Sequence, residues 1–144
     1  MTVPARPLAG QGPAFGAVAA GGALGALARY GLALAIPPVP GHFPLATFLT
    51  NVVGGLLIGV LIVVLTELTT PHPLARPFLV TGILGGFTTF STYAVDVEHL
   101  LAAHAVGVAL GYLLGTLVAA LAATWVGILA TRAVGGLFRP EADR

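Results

Sequence analysis

Apolar residues run through this chain in four long stretches separated by proline-rich or polar punctuation: residues 15–36, 43–65, 77–95 and 105–133. Each stretch is long enough to cross a bilayer core as a helix, which takes about 20 residues. The breaks are Pro37-Pro38-Val39-Pro40-Gly41-His42, the segment 66–76 with prolines at 71 and 73, and the polar run 96–104. Connections this short predict that consecutive helices lie side by side and antiparallel. The pattern predicts an all-α membrane protein: a loose tail over 1–14, a four-helix transmembrane domain over 15–133, and a short C-terminal tail over 134–144. A rival reading makes residues 1–28 a secretory signal with Ala26-Leu27-Ala28 as its cleavage site. Against it, Arg6 is the lone charge ahead of the apolar run, and that run continues past Arg29.

Within the third stretch the pattern fails. The segment from Gly82 to Tyr93 holds three glycines, four serine or threonine hydroxyls and three aromatic rings. Glycine and β-branched threonine are weak helix formers, so the third helix is expected to break there and release main-chain carbonyls. Broken helices persist at membrane depth where they are buried in protein or line a wet cavity, which points to an ion site.

Composition narrows the classes. Of 144 residues, 57% are apolar and 8% charged, with a mean hydropathy of +0.99. Soluble domains carry about 25% charged residues, so this chain belongs in lipid. It has no cysteine, which excludes disulfides and thiolate chemistry. Six arginines against five acids give a formal charge of +1, which does not describe a nucleic-acid binder. Arg6, Arg76, Arg132, Arg139 and Arg144 fall on the side shared by both termini and the second loop. The positive-inside rule therefore predicts cytoplasmic termini.

Small residues recur every four positions along the fourth stretch: Gly107, Gly111, Gly115, Ala119, Ala123 and Gly127. Such a seam lets a second backbone approach closely, and its length favours a subunit interface. Gly55 and Gly59 in the second stretch, and Gly21 and Gly25 in the first, fit packing within one subunit. One position beyond the long seam run Tyr112, Thr116, Ala120 and Thr124, a polar track unless each threonine bonds its own backbone.

Asn51 lies near the middle of the second stretch. A buried amide needs partners, so it faces either an ion path or an interhelical hydrogen bond. Phe90 and Tyr93 share a helical face after the break, and an aromatic ring edge is electropositive enough to meet a small anion. No acidic residue sits centrally in any stretch, which argues against a proton-coupled exporter of cations. The histidines at 42, 72, 99 and 104 lie in or beside loops without i, i+4 spacing. Neither a nucleophile–base set nor a phosphate loop is present, so the sequence does not read as an enzyme.

Taken together, these residues resemble the bacterial fluoride channel family, Fluc or CrcB. The resemblance is carried by Gly21 to Tyr30, Thr47 to Gly54, the run Gly82 to Tyr93, and the register of Tyr112 and Thr116. It implies a multi-pass protein of the bacterial cell membrane, an antiparallel dimer of four-helix subunits that exports fluoride passively along the interface. It also implies Asn51 as an anion-contacting amide and Phe90 as one ring of a phenylalanine pair beside the pore. Tyr112 and Thr116 then follow as the hydroxyl track, with Ser91 a neighbour, and the stripe read from the residues adds Thr124 to the ion pathway. A structural sodium ion would be held by the main-chain carbonyls of Gly85 and Thr88. The sequence departs from the family pattern at Tyr93, where phenylalanine is common, and at Ala120, where serine is frequent. The arginine asymmetry sets a homodimer against a heterodimer with an oppositely oriented homologue, in which this chain could be a non-conducting or half-pore subunit.

Overall fold

The computed structural model describes residues 10–137. Helix α1 (Gly12–Ala35) starts with a proline in its first turn, where the missing N–H costs nothing. Helix α2 (Leu45–Val63) continues into wide π-type turns over Val64–Leu68, where the Thr69 hydroxyl donates to the Val64 carbonyl five residues back at 2.8 Å. The third span opens with π-type turns over Pro77–Leu84 and one further turn, Gly85–Phe87; together these form α3. Thr88 is extended (φ −73°, ψ 157°), and helix α4 (Ser91–Ala102) then resumes. Helix α5 (Val106–Leu137) is the longest.

The expected break in the third span is therefore present, one residue into the threonine pair. Among the described residues, four helical spans are long and apolar enough to cross a membrane. Their outer faces carry large apolar side chains such as Leu114, Leu121 and Trp125, all more than 60% exposed, as lipid contact requires.

Helix bounds differ from the sequence reading in three places. Helix α1 begins at Gly12 rather than 15, because Pro13 suits a first turn and the small residues after it are compatible with helix. Helix α5 runs through 134–137, which the sequence reading gave to the tail, since Val134 to Leu137 bring no proline or charge to end it. The remainder of both expected tails, 1–9 and 138–144, lies outside the described residues, as do Arg6, Arg139 and Arg144. The third loop is not 96–104: α4 carries its acidic residues to Ala102 and stops on a Schellman turn, with Ala105 N–H donating to Leu100 O at 2.9 Å and His104 N–H to Leu101 O at 3.0 Å. His104 takes the left-handed conformation there, at φ +56°.

Consecutive spans are also not the closest neighbours. Helix α1 packs chiefly on α3, and α2 on α5, while α1 and α2 touch little. The glycines decide this. A Cβ on Gly21 or Gly25 would collide with the backbone of α3, and one on Gly82 or Gly86 with the backbone of α1. Likewise Gly55 and Gly59 press on Ala120 and Thr124, and Gly127 on the backbone of α2. The long seam of α5 thus divides. Its Gly127 end is spent inside the subunit, while Gly107, Gly111 and Gly115 have nothing within 4 Å and face outward.

Candidate functional site

The break is held by Asn51. Its Oδ1 accepts the Thr89 N–H at 3.0 Å, and its Nδ2 donates to the Thr89 carbonyl at 3.0 Å. The side-chain amide therefore pairs with residue 89 as a neighbouring strand would, satisfying both main-chain groups that the extended backbone leaves open. A second N–H on Nδ2 remains. Helix α2 can bring Asn51 this close because Gly54, one turn on, leaves room for the Thr88 methyl.

Thr89 also starts α4. Its hydroxyl accepts the Thr92 N–H at 3.1 Å, as an N-cap does, and donates to the Thr92 hydroxyl at 3.0 Å. The Ser91 hydroxyl lies 3.4 Å away on the exposed side. Upstream, the Thr88 N–H and hydroxyl both reach the Leu84 carbonyl, at 2.9 and 2.8 Å. Arg29 of α1 donates from Nε to the Gly86 carbonyl at 3.1 Å.

Two cavities flank this knot. One, of about 400 Å³, is an open cleft lined by Asn51, Gly54, Gly85, Thr88, Phe90, Tyr93 and Ala120 among others. Phe90 is 80% exposed at its edge, and its ring centroid lies 5.8 Å from that of Tyr93. The second cavity, of about 320 Å³, is lined by Arg29, Tyr30, three alanines and four threonines: Thr47, Thr50, Thr89 and Thr92. Among the described residues, no carboxylate borders either one. Thr89 borders both.

The sequence-predicted residues thus sort by position. Asn51, Phe90, Tyr93, Gly85 and Thr88 converge on the open cleft, with Ser91 exposed beside it. The α5 track does not line it. Tyr112 is fully buried with Leu100 and Ala109, its hydroxyl donating to Asp96 Oδ2 at 3.1 Å. Thr124 bonds the Ala120 carbonyl of its own helix at 3.0 Å. Thr116 is 3% exposed, and its hydroxyl has no hydrogen-bond partner among the described residues. A buried unpaired hydroxyl costs about 1–3 kcal/mol.

Sequence reasoning passed over Thr89 and Arg29 as site residues and placed Asp96 in a loop. The signal for Thr89 was available: a threonine just ahead of a resuming helix is a candidate N-cap. No local pattern pairs Arg29 with Gly86, because the contact spans 57 positions.

These features define a class: a multi-pass, four-span helical membrane protein whose broken third span carries a polar knot between an aromatic-edged cleft and a cationic, threonine-lined cavity. The particular family follows from comparison. The family described as "CrcB-like protein, Camphor Resistance (CrcB)" matches residues 16–128, and the chain belongs to it. It is 51% identical to "Fluoride-specific ion channel FluC 2" of Nocardia farcinica over 123 residues, covering 85% of this chain and 88% of that one. It is 50% identical to "Fluoride-specific ion channel FluC 1" of Streptomyces coelicolor (86% and 80% covered), and 44% identical to "Fluoride-specific ion channel FluC" of Paracoccus denitrificans (84% and 94% covered).

Proposed function

We propose that this protein is a fluoride channel that lets cytoplasmic fluoride leave the cell passively. The observation that carries the reading is identity of about half to fluoride-specific channels over nearly the whole chain, with the matched region containing the entire Asn51–Thr89 knot. The chemistry supports it. A small hydrated anion needs neutral donors and ring edges that replace water without trapping the ion. The cleft offers the remaining Asn51 N–H and the rings of Phe90 and Tyr93, and Arg29 supplies positive potential behind the break without a carboxylate opposing it. Tyr112, Thr116 and Thr124 do not line this cleft in the single subunit, and Ser91 is exposed beside it, so a part for these four in the ion path rests on the family resemblance and the residue stripe alone.

A cleft this open is half a pore. The outward glycines of α5 and the exposed Phe90 support a second, antiparallel subunit closing the path. Between subunits, the Gly85 and Thr88 carbonyls form a fitting site for a sodium ion, a hard cation that prefers oxygen. Both have lost their helical donors, as the bonding of Thr89 and Thr92 requires. Sodium would neutralise those carbonyl dipoles and hold the two breaks together. The transport steps fall to Asn51 and the rings.

A second reading rests on the arginine asymmetry, which favours one orientation and with it an oppositely oriented homologue. The chain would then supply one half of a heterodimer. Fluoride efflux from liposomes holding this chain alone separates the two: conduction by the single purified chain supports a homodimer, and its absence until a homologue is added supports the heterodimer.

A further inference from the structure

We propose that Asn51 and Thr89 are the positioning residues of the cation site: each takes an amide that would otherwise close on a sodium-facing carbonyl. The inference rests on the reading above that sodium sits at Gly85 and Thr88.

In a continuous α-helix each N–H donates to the carbonyl four residues back. The Thr89 N–H would therefore belong to Gly85 O, and the Thr92 N–H to Thr88 O. Neither goes there. The Thr89 N–H is captured by Asn51 Oδ1 at 3.0 Å, and the Thr92 N–H by the Thr89 hydroxyl at 3.1 Å. The two carbonyls assigned to the cation are thus the two whose amides are diverted by side chains. The glycine at 85 weakens the helix without choosing which oxygens open; Asn51 and Thr89 make that choice.

Gly86 O, one of the two carbonyls between them in sequence, already receives the Arg29 guanidinium at 3.1 Å, which makes it a poorer ligand for a metal cation than Gly85 O or Thr88 O. Asn51 is fixed at two points, since its Nδ2 donates to the Thr89 carbonyl at 3.0 Å. With both of those groups engaged, its remaining N–H is the one available to the anion cleft. A single amide therefore builds the cation site and borders the anion path, so substitutions there weaken both functions together. An amide that only contacts the anion would affect conduction and leave cation binding alone.

Sodium-dependent thermal stability of the purified protein in detergent tests this, titrated against N-methylglucamine at constant ionic strength. The wild type is expected to gain stability with a measurable sodium midpoint. Asn51→Ala and Thr89→Val move that midpoint at least about tenfold higher, a loss of about 1.4 kcal/mol in sodium binding. Thr89→Ser, which retains the hydroxyl, keeps it within about threefold, under about 0.7 kcal/mol. The Thr89 pair carries the test if Asn51→Ala does not fold. Wild-type midpoints in both Asn51→Ala and Thr89→Val overturn the assignment alone. No sodium-dependent shift in the wild type overturns the cation reading and this assignment with it.

Discussion

The hydroxyl of Tyr93 donates to the main-chain carbonyl of Leu113, tying α4 to α5 beside the open cleft. This disposes of the phenol at the position where the family resemblance leads one to expect phenylalanine. The hydroxyl is spent on the neighbouring helix, and the ring is held between Phe90 and Tyr112, 5.8 and 5.3 Å away by centroid.

Tyr93→Phe is therefore expected to lower stability by about 1 kcal/mol, the net worth of one such bond. It should raise fluoride turnover, because an untethered ring can turn its edge to the passing ion. Melting temperature and single-chain efflux rates, measured on the same preparations, check both halves.

Glycines that look equivalent in sequence should behave oppositely. Gly25→Val drives a side chain into the backbone of α3, with Phe87 N only 2.7 Å from the added Cβ, and should cost about 3 kcal/mol or more. Gly111→Val meets nothing within its own chain. It should leave helicity intact while shifting the protein from dimer to monomer. Circular dichroism and size-exclusion chromatography in detergent separate the two outcomes.

His104 holds a left-handed conformation that glycine adopts without penalty. His104→Gly is expected to stabilise the protein by about 1 kcal/mol through relief of that conformation. The gain would appear as a higher melting temperature.

Orientation can be read directly, because the chain has no cysteine of its own. Ala103→Cys, in the α4–α5 turn, should react with an impermeant thiol reagent only from outside the cell, and Gly136→Cys only after the membrane is opened. Labelling of both positions from both sides would contradict a fixed orientation and favour a dual-topology homodimer.

The broken third span was legible because its cause is local: glycines and threonines crowd into twelve positions, 82–93, and helix propensity responds to nearest neighbours. Asn51 was legible as a residue in need of partners, but whether ion or protein supplied them was not. The structure gives both its main contacts to Thr89. The pairing of α1 with α3 and α2 with α5 stayed hidden, since a small-residue seam shows that a backbone approaches without saying which one. Gly127 and Gly111 belong to the same seam, yet only Gly127 meets its own subunit. Asp96 was misplaced for a related reason. Its charge reads as loop, while its partner Tyr112, 16 residues away, keeps it on a helix.

The most direct test of the account is passive fluoride efflux from liposomes reconstituted with this chain alone, followed with a fluoride electrode and compared with chloride efflux from the same preparation. The account predicts fluoride release down its gradient, far faster than chloride and without a pH gradient to drive it. Equal release of the two halides, or fluoride movement only when a pH gradient is imposed, would contradict it.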